Sequence, residues 1–163
     1  MQIANLNINL PQKKEEEFLK IDFTSLFDFD FKEHKTLDFA LDLESIKDDE
    51  VYDSKLFSIA NSFDNSKRVL TISENLEKPL IIVNKLKNSE TLYTNNLLIK
   101  VKEGVKASVI EVFISNLNNS TILANRTIEA EKNSSLEYVK IQDISISNSL
   151  IFSCKAKQDD KSN

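Results

Sequence analysis

The residues of this chain able to do chemistry are few: one cysteine, one histidine and scattered acids and lysines. Cys154 stands in SLIFSCKAK. With Ile151 turned inward, a period of two places Ser153 beside it and Cys154 on the opposite face, where Lys155 would lower the thiol pKa if the thiol were exposed. Cys154 reads as a structural thiol; the alternative, a cluster or persulfide ligand, needs further ligands from another chain. His34, in FKEHK, lies among charges and reads as a surface histidine. No serine stands near it with a plausible third partner for nucleophilic catalysis. Glu111 and Glu137 fall on predicted strands, and paired carboxylates can do acid–base work. They are 26 residues apart, out of step with the 29-residue repeat described below, so each is expected to face solvent or form a salt bridge. Asp48, Asp49 and Glu50 read as a solvated loop, because three adjacent acids do not converge on one metal ion. Lys100, Lys102 and Lys106 flank Gly104 with Glu103 between them and read as a solvated face, too small a basic patch for nucleic acid. No catalytic, cofactor-binding or metal-ligating residue is assigned, and the chain is expected not to be an enzyme.

The bulk properties narrow the classes further. A chain of 163 residues suits one domain, with or without a short extension. Its net charge of −5 gives no electrostatic reason to expect nucleic acid or an anionic membrane as partner. One cysteine excludes an intrachain disulfide, which fits a reducing compartment. One histidine beside it excludes a clustered Cys/His zinc site within a single chain. The start, MQIANLNINLPQKK, lacks the basic and then apolar pattern of a secretory signal, and no apolar run approaches the ~18–20 residues needed to span a bilayer. A cytoplasmic protein is expected. A single glycine rules out glycine-rich phosphate loops.

The elements that must position these residues change character along the chain. Residues 1–53 read as an amino-terminal extension. Six of the ten phenylalanines lie there, at Phe18, Phe23, Phe27, Phe29, Phe31 and Phe39. KKEEEFLK, just after Pro11, predicts a short helix. FDFDF predicts an edge strand or an extended arm, which either covers the chain's own core or docks on a partner. LDFALDLESI is ambiguous between helix and strand. Residues 54–158 carry the repeating region, and 159–163 form a polar tail.

From Leu70 onward, segments rich in Ile, Val and Leu alternate at period two, as strands buried on one face do. Asn75, Gly104 and Asn133 are spaced 29 residues apart, twice. The same shift aligns Leu70 with Ile99 and Ile128, Ile72 with Val101 and Ala130, and Leu80 with Val109 and Tyr138. Asn and Gly tolerate a left-handed backbone, so a tight turn is expected at the three shared positions. Repeats of this length indicate stacked coils sharing one core. No Asn-Gly or Asp-Gly hairpin signal occurs. The expected fold is therefore all-β, with mostly parallel stacked coils.

Several segments resemble the SufB/SufD family of iron–sulfur cluster assembly proteins. LEKPLIIVNKL is similar to that family's Glu-x-Pro followed by an apolar strand, and NLLIKVKEGVKASVIEVFIS to its next coil. RTIEAEKNSSLEYVKIQD is the closest match, through Asn133, Leu136, Glu137, Tyr138, Val139 and Gln142. Pro11, Lys14, Glu16 and Phe18 resemble the opening of SufD-type members, although Trp followed by Lys-Tyr-Thr is usual where this chain has Phe18-Leu19-Lys20-Ile21. SKLFSIANSF is similar to the segment before the first coils, through Phe57, Ala60, Asn61 and Phe63. The resemblance implies a right-handed parallel β-helix and a SufD-like scaffold role, with SufB-like and SufC-like subunits as partners. Family members are commonly over twice this length. Their carboxy-terminal helical region and their cluster-related Cys and His have no counterpart here. Without a cap on its last coil the isolated chain is expected to be marginally stable or to self-associate. The alternative readings are a β-solenoid interaction module unrelated to cluster assembly and, by fold analogy alone, a polysaccharide-active enzyme. The last would need paired carboxylates and aromatic platforms, and the chain has no Trp.

Overall fold

In a computed structural model, which describes residues 1–18, 20–50 and 52–159, the repeating region forms a parallel β-solenoid of about three turns. Its strands alternate between two sheets. One sheet holds β3 (Ser66–Ile72), β5 (Thr91–Val101), β7 (Thr121–Ala130) and β9 (Ser149–Gln158). The other holds β4 (Leu80–Lys85), β6 (Lys106–Ser115) and β8 (Ser135–Ile144). Each pair within these ladders is parallel. Leu70 pairs with Ile99 and Ile99 with Ile128, and Leu80 pairs with Val109 and Val109 with Tyr138, the 29-residue register of the sequence. The last step is one residue shorter: Thr121 pairs with Ser149.

Two corners connect the sheets in each coil, and only one was visible in the sequence. Gly104 (φ +72°) and Asn133 (φ +58°) do take the left-handed conformation. Asn75 does not have a positive φ. Its side-chain Oδ1 instead accepts a hydrogen bond of 2.7 Å from the Lys106 amide in the next coil. The second corner is left-handed at Glu90 (φ +55°) and Asn119 (φ +56°), again 29 residues apart. Its third copy closes through Asn148, whose side chain bonds the Ser120 amide (2.9 Å), the Leu117 carbonyl (2.8 Å) and Ser115 Oγ (3.1 Å).

The extension covers the solenoid. β1 (Glu33–Thr36) adds in parallel to the first half of β5, and β2 (Glu44–Lys47) pairs antiparallel with β3. Between them Leu37, Phe39, Leu41 and Leu43 reach into the open side of the first coil, where Phe39 joins Leu70, Ile72, Ile82 and Leu97 in the core. The KKEEEFLK helix is not formed: a single 3-10 turn spans Glu16–Phe18, consistent with the high cost of nucleating so short a helix, and Leu19 lies outside the described residues. FDFDF is not a strand either. α1 (Thr24–Phe27) ends at its start, and Phe27, Phe29 and Phe31 pack with Ile3 and with Ile59 and Ala60 of α2 (Lys55–Phe63) onto Leu92 and Leu123. The Phe-rich arm thus covers the chain's own core. That layer explains why β5 is buried on both faces, its Thr91, Thr94, Asn95 and Asn96 included. A row of amides fastens it: Asn96 Nδ2 donates to the Asp64 carbonyl (2.9 Å), and Asn125 Nδ2 to the Phe57 carbonyl (3.0 Å). Residues 160–163 of the polar tail lie outside the described residues.

Candidate functional site

The register dictates which side chains meet inside the coils. Val109 points inward, so Glu111 does too; Ile128 points inward, so Arg126 does. Both are wholly buried and form an ion pair in which Arg126 Nη2 and Nε (2.8 Å) donate to the two Glu111 oxygens. Asn84 Nδ2 (2.5 Å) and the Tyr138 hydroxyl donate to the same carboxylate. The remaining Arg126 donors reach the Asn95 carbonyl (2.5 Å), Asn95 Oδ1 and the Asn125 carbonyl (2.8 Å). Rings of Phe39, Phe113 and Phe152 surround the guanidinium at 5.7–5.8 Å. Burial alone would push the Glu111 carboxyl up, but the Arg126 charge and the converging donors hold it below its ordinary value. Burial and the Glu111 charge push the Tyr138 hydroxyl up. The carboxylate is therefore ionised, saturated with donors and sealed from substrate, a structural ion pair between two apolar clusters. Glu111 does not face solvent, but it does form a salt bridge. Glu137, on the outer face of β8, accepts from Ser108 Oγ (3.2 Å) and does not meet Glu111.

Asp48 is not part of a solvated loop. It is buried at the seam between extension and solenoid, 2.9 Å from Lys67 Nζ, and it accepts from the Tyr52 hydroxyl (2.8 Å) and Asn61 Nδ2 (3.0 Å). Burial pushes the Tyr52 hydroxyl up to about 12. Asp49 turns away to Lys47 (2.6 Å), while Glu50 pairs with Lys155, whose hydrogen bond brings its carboxyl down to about 2. Glu50 also reaches Lys67 (3.5 Å), so Asp48 and Glu50 share that ammonium while Asp49 points away, and among the described residues no group of His, Cys, Asp and Glu is placed to hold a metal ion. His34 is half-buried rather than on the surface. Its Nε2 lies 2.9 Å from Thr94 Oγ1 and its ring packs on Phe63, because β1 is pressed between β5 and α2. Lys100 and Lys102 ladder onto Glu129 (3.8 Å) and Glu131 (2.6 Å) of the next coil, and Lys106 is exposed, as a solvated face should be.

On β9 the facing is the reverse of the expectation. Ile151 turns outward against the helix layer, and Cys154 shares the inward row of Arg126. Lys155 is engaged with Glu50 and takes no part in tuning the thiol; partial burial pushes the Cys154 pKa up. Beside it, a cleft of about 410 Å³ runs along the outer edge of β9, lined by Tyr52, Phe57, Phe152, Ser153, Cys154 and Lys155. Ser153 Oγ is buried there without a hydrogen-bond partner. Among the described residues no strand pairs with the outer edges of β8 and β9, and the β9 ladder of backbone donors and acceptors ends at this cleft.

Arg126, Asn84 and Asn95 escaped the sequence reading, and Tyr138 entered it only as a member of an apolar row, although the 29-residue register already placed Arg126 and Glu111 in inward rows. No helix among the described residues is long and apolar enough to cross a membrane. In comparison with known proteins, the chain matches no family model, no curated protein and no solved structure.

Proposed function

We propose that this chain is a SufD-like scaffold subunit, or a fragment of one, in cytoplasmic iron–sulfur cluster assembly, acting by association and not by catalysis. The observation that carries a binding role is the third-coil edge: β8 and β9 present parallel ladders without a partner strand among the described residues, and an aromatic-lined cleft runs along β9. A partner strand continuing the β9 ladder would satisfy its backbone groups and bring successive side chains over Cys154 and Ser153. The ordered SufB/SufD-like motifs of the sequence support SufB-like and SufC-like subunits as the partners, with the cluster as cargo. The acids that might have done chemistry are engaged elsewhere, Glu111 with Arg126 and Asp48 with Lys67.

Co-expression with the SufB-like and SufC-like proteins of the same cell tests this. Co-purification through affinity and size-exclusion steps is the expected result. Failure to bind either, while a full-length SufD binds both, would sink the proposal for this chain. The same edge fits a β-solenoid interaction module unrelated to cluster assembly, and genes for cluster assembly beside this one would separate the two readings.

A further inference from the structure

The two sheets of the solenoid are covered unequally. The outer face of the β3–β5–β7–β9 sheet lies under the helix layer. The outer face of the β4–β6–β8 sheet has no cover among the described residues. Its ladders nonetheless read Ile81–Ile110–Val139 and Val83–Val112–Ile141 across the three strands. Ile81 is 60 % exposed and Ile141 46 %. Six β-branched residues in two adjacent rows form a contiguous apolar patch, where a solvated sheet face would carry polar side chains.

We infer that this face pairs with the same face of a second copy, in a weak two-fold dimer. The charges at the patch edge carry the choice of occupant. The next row across the strands is Lys85, Ile114 and Asp143, and the row on the far side is Pro79, Ser108 and Glu137. A two-fold axis running along the strands preserves each row and reverses the coil order, so it sets Lys85 of each copy against Asp143 of the other. An axis across the strands would set Asp143 against Glu137 instead and is disfavoured. With the axis along the strands Ile110, Val112 and Ile114 meet their own copies, as the self-complementarity of a two-fold interface requires. Packed sheets tolerate a crossing of about 30°, so this near-parallel arrangement is an ordinary face-to-face packing.

The area sets the strength. Strands about 4.8 Å apart with a rise of about 3.3 Å per residue give this face roughly 400 Å² in projection. Two copies bury on the order of 800 Å², below the ~1,200 Å² where stable interfaces begin, so the dimer is concentration-dependent.

Sedimentation equilibrium of the full chain from about 5 μM to 1 mM is the test. The weight-average mass is expected to rise above the 18.6 kDa of the monomer and approach twice that value. The Ile81→Lys/Ile141→Lys variant should weaken association at least tenfold with its melting curve unchanged, since both positions already face water. Lys85→Asp and Asp143→Lys should each weaken it, on the order of tenfold over the two symmetric contacts, and the double reversal should restore it. A chain that stays monomeric at 1 mM overturns the inference. So does a dimer indifferent to Ile81→Lys/Ile141→Lys, which would point to the third-coil edge. If the double reversal fails to restore association, the two-fold arrangement is wrong.

Discussion

Removing either partner of the Arg126–Glu111 pair should destabilise the chain more than removing both. Arg126→Met leaves an ionised Glu111 at 0 % side-chain exposure and strips donors from the Asn95 carbonyl, Asn95 Oδ1 and the Asn125 carbonyl. Glu111→Leu leaves the guanidinium uncompensated and orphans Asn84 Nδ2 and the Tyr138 hydroxyl. Breaking a buried pair from one side costs about 3–5 kcal/mol. A domain of ordinary size has ~5–15 kcal/mol in all, so each single variant loses a large fraction of its stability. With a urea dependence of about 2 kcal/mol per molar, the midpoint should fall by about 2 M. The double variant Arg126→Met/Glu111→Leu removes the uncompensated charge but still orphans Asn84, Tyr138 and the Asn95 and Asn125 acceptors, so it should regain only part of that loss. Equilibrium urea unfolding followed by far-UV circular dichroism measures all three. The network also joins consecutive coils, since Asn84, Asn95, Glu111, Arg126 and Tyr138 lie on β4 to β8 in turn. The single variants should therefore also show a shallower transition as the coils begin to melt separately. Single variants that each cost under about 1 kcal/mol would refute the reasoning, because they would mean that water already reaches the pair.

Gly104→Ala should cost about 1 kcal/mol in urea unfolding through its φ of +72° alone, since nothing lies within 4 Å of an added Cβ. Asn133→Gly, at the equivalent corner, should be near neutral; an equal loss at both positions would argue against a conformational cause. His34 has its pKa lowered by burial, with Asp64 opposing, so the folded chain takes up the proton later than the unfolded one. Its contribution is intact above about pH 6.5 and is lost as pH falls toward the folded value, and a His34→Gln variant should flatten that part of a stability–pH profile. Cys154 should alkylate with iodoacetamide at pH 7.5 more slowly than a free thiol, and Lys155→Met should leave the rate unchanged; a marked slowing in that variant would show that Lys155 does activate the thiol.

The stacking of the coils was legible because it rests on a local rule repeated three times. Leu70, Ile99 and Ile128 occupy the same inward position, and period two carries that facing along each strand. The corners were only half legible. Glu90 has no turn propensity, so the 29-residue spacing from it through Asn119 to Asn148 carried no signal, and the shortened third step sets Asn148 level with Ser120 rather than Asn119. Asn75 looked like a turn residue and serves as a side-chain acceptor. The extension was least legible because tertiary contacts decide it. His34 and Asp48 sit in charged text, yet β1 and β2 bring them under α2, a placement no window of a few residues encodes. The facing of β9 was misread for a similar reason: its outward Ile151 is apolar because a helix covers it, so hydrophobicity there does not mark the inside.

The polar layer also breaks a degeneracy built into the repeat. A strand slipped by one whole coil would still set Leu70-type, Ile99-type and Ile128-type positions in line, because those rows are chemically alike. Arg126 has no such equivalent. One coil back its row holds Leu97, and one coil on it holds Cys154. Glu111 is likewise flanked by Ile82 and Lys140. A slipped pairing would therefore bury the guanidinium against apolar neighbours without its carboxylate, at a cost of several kcal/mol that no apolar ladder could offset. Apolar rows stabilise stacking in any order, whereas the single buried ion pair selects one order. In that case the Arg126→Met/Glu111→Leu chain has also lost the feature that distinguishes its coils. Beyond any drop in its midpoint, that loss must show in refolding, as extra slow phases from misaligned coils that the native chain does not populate.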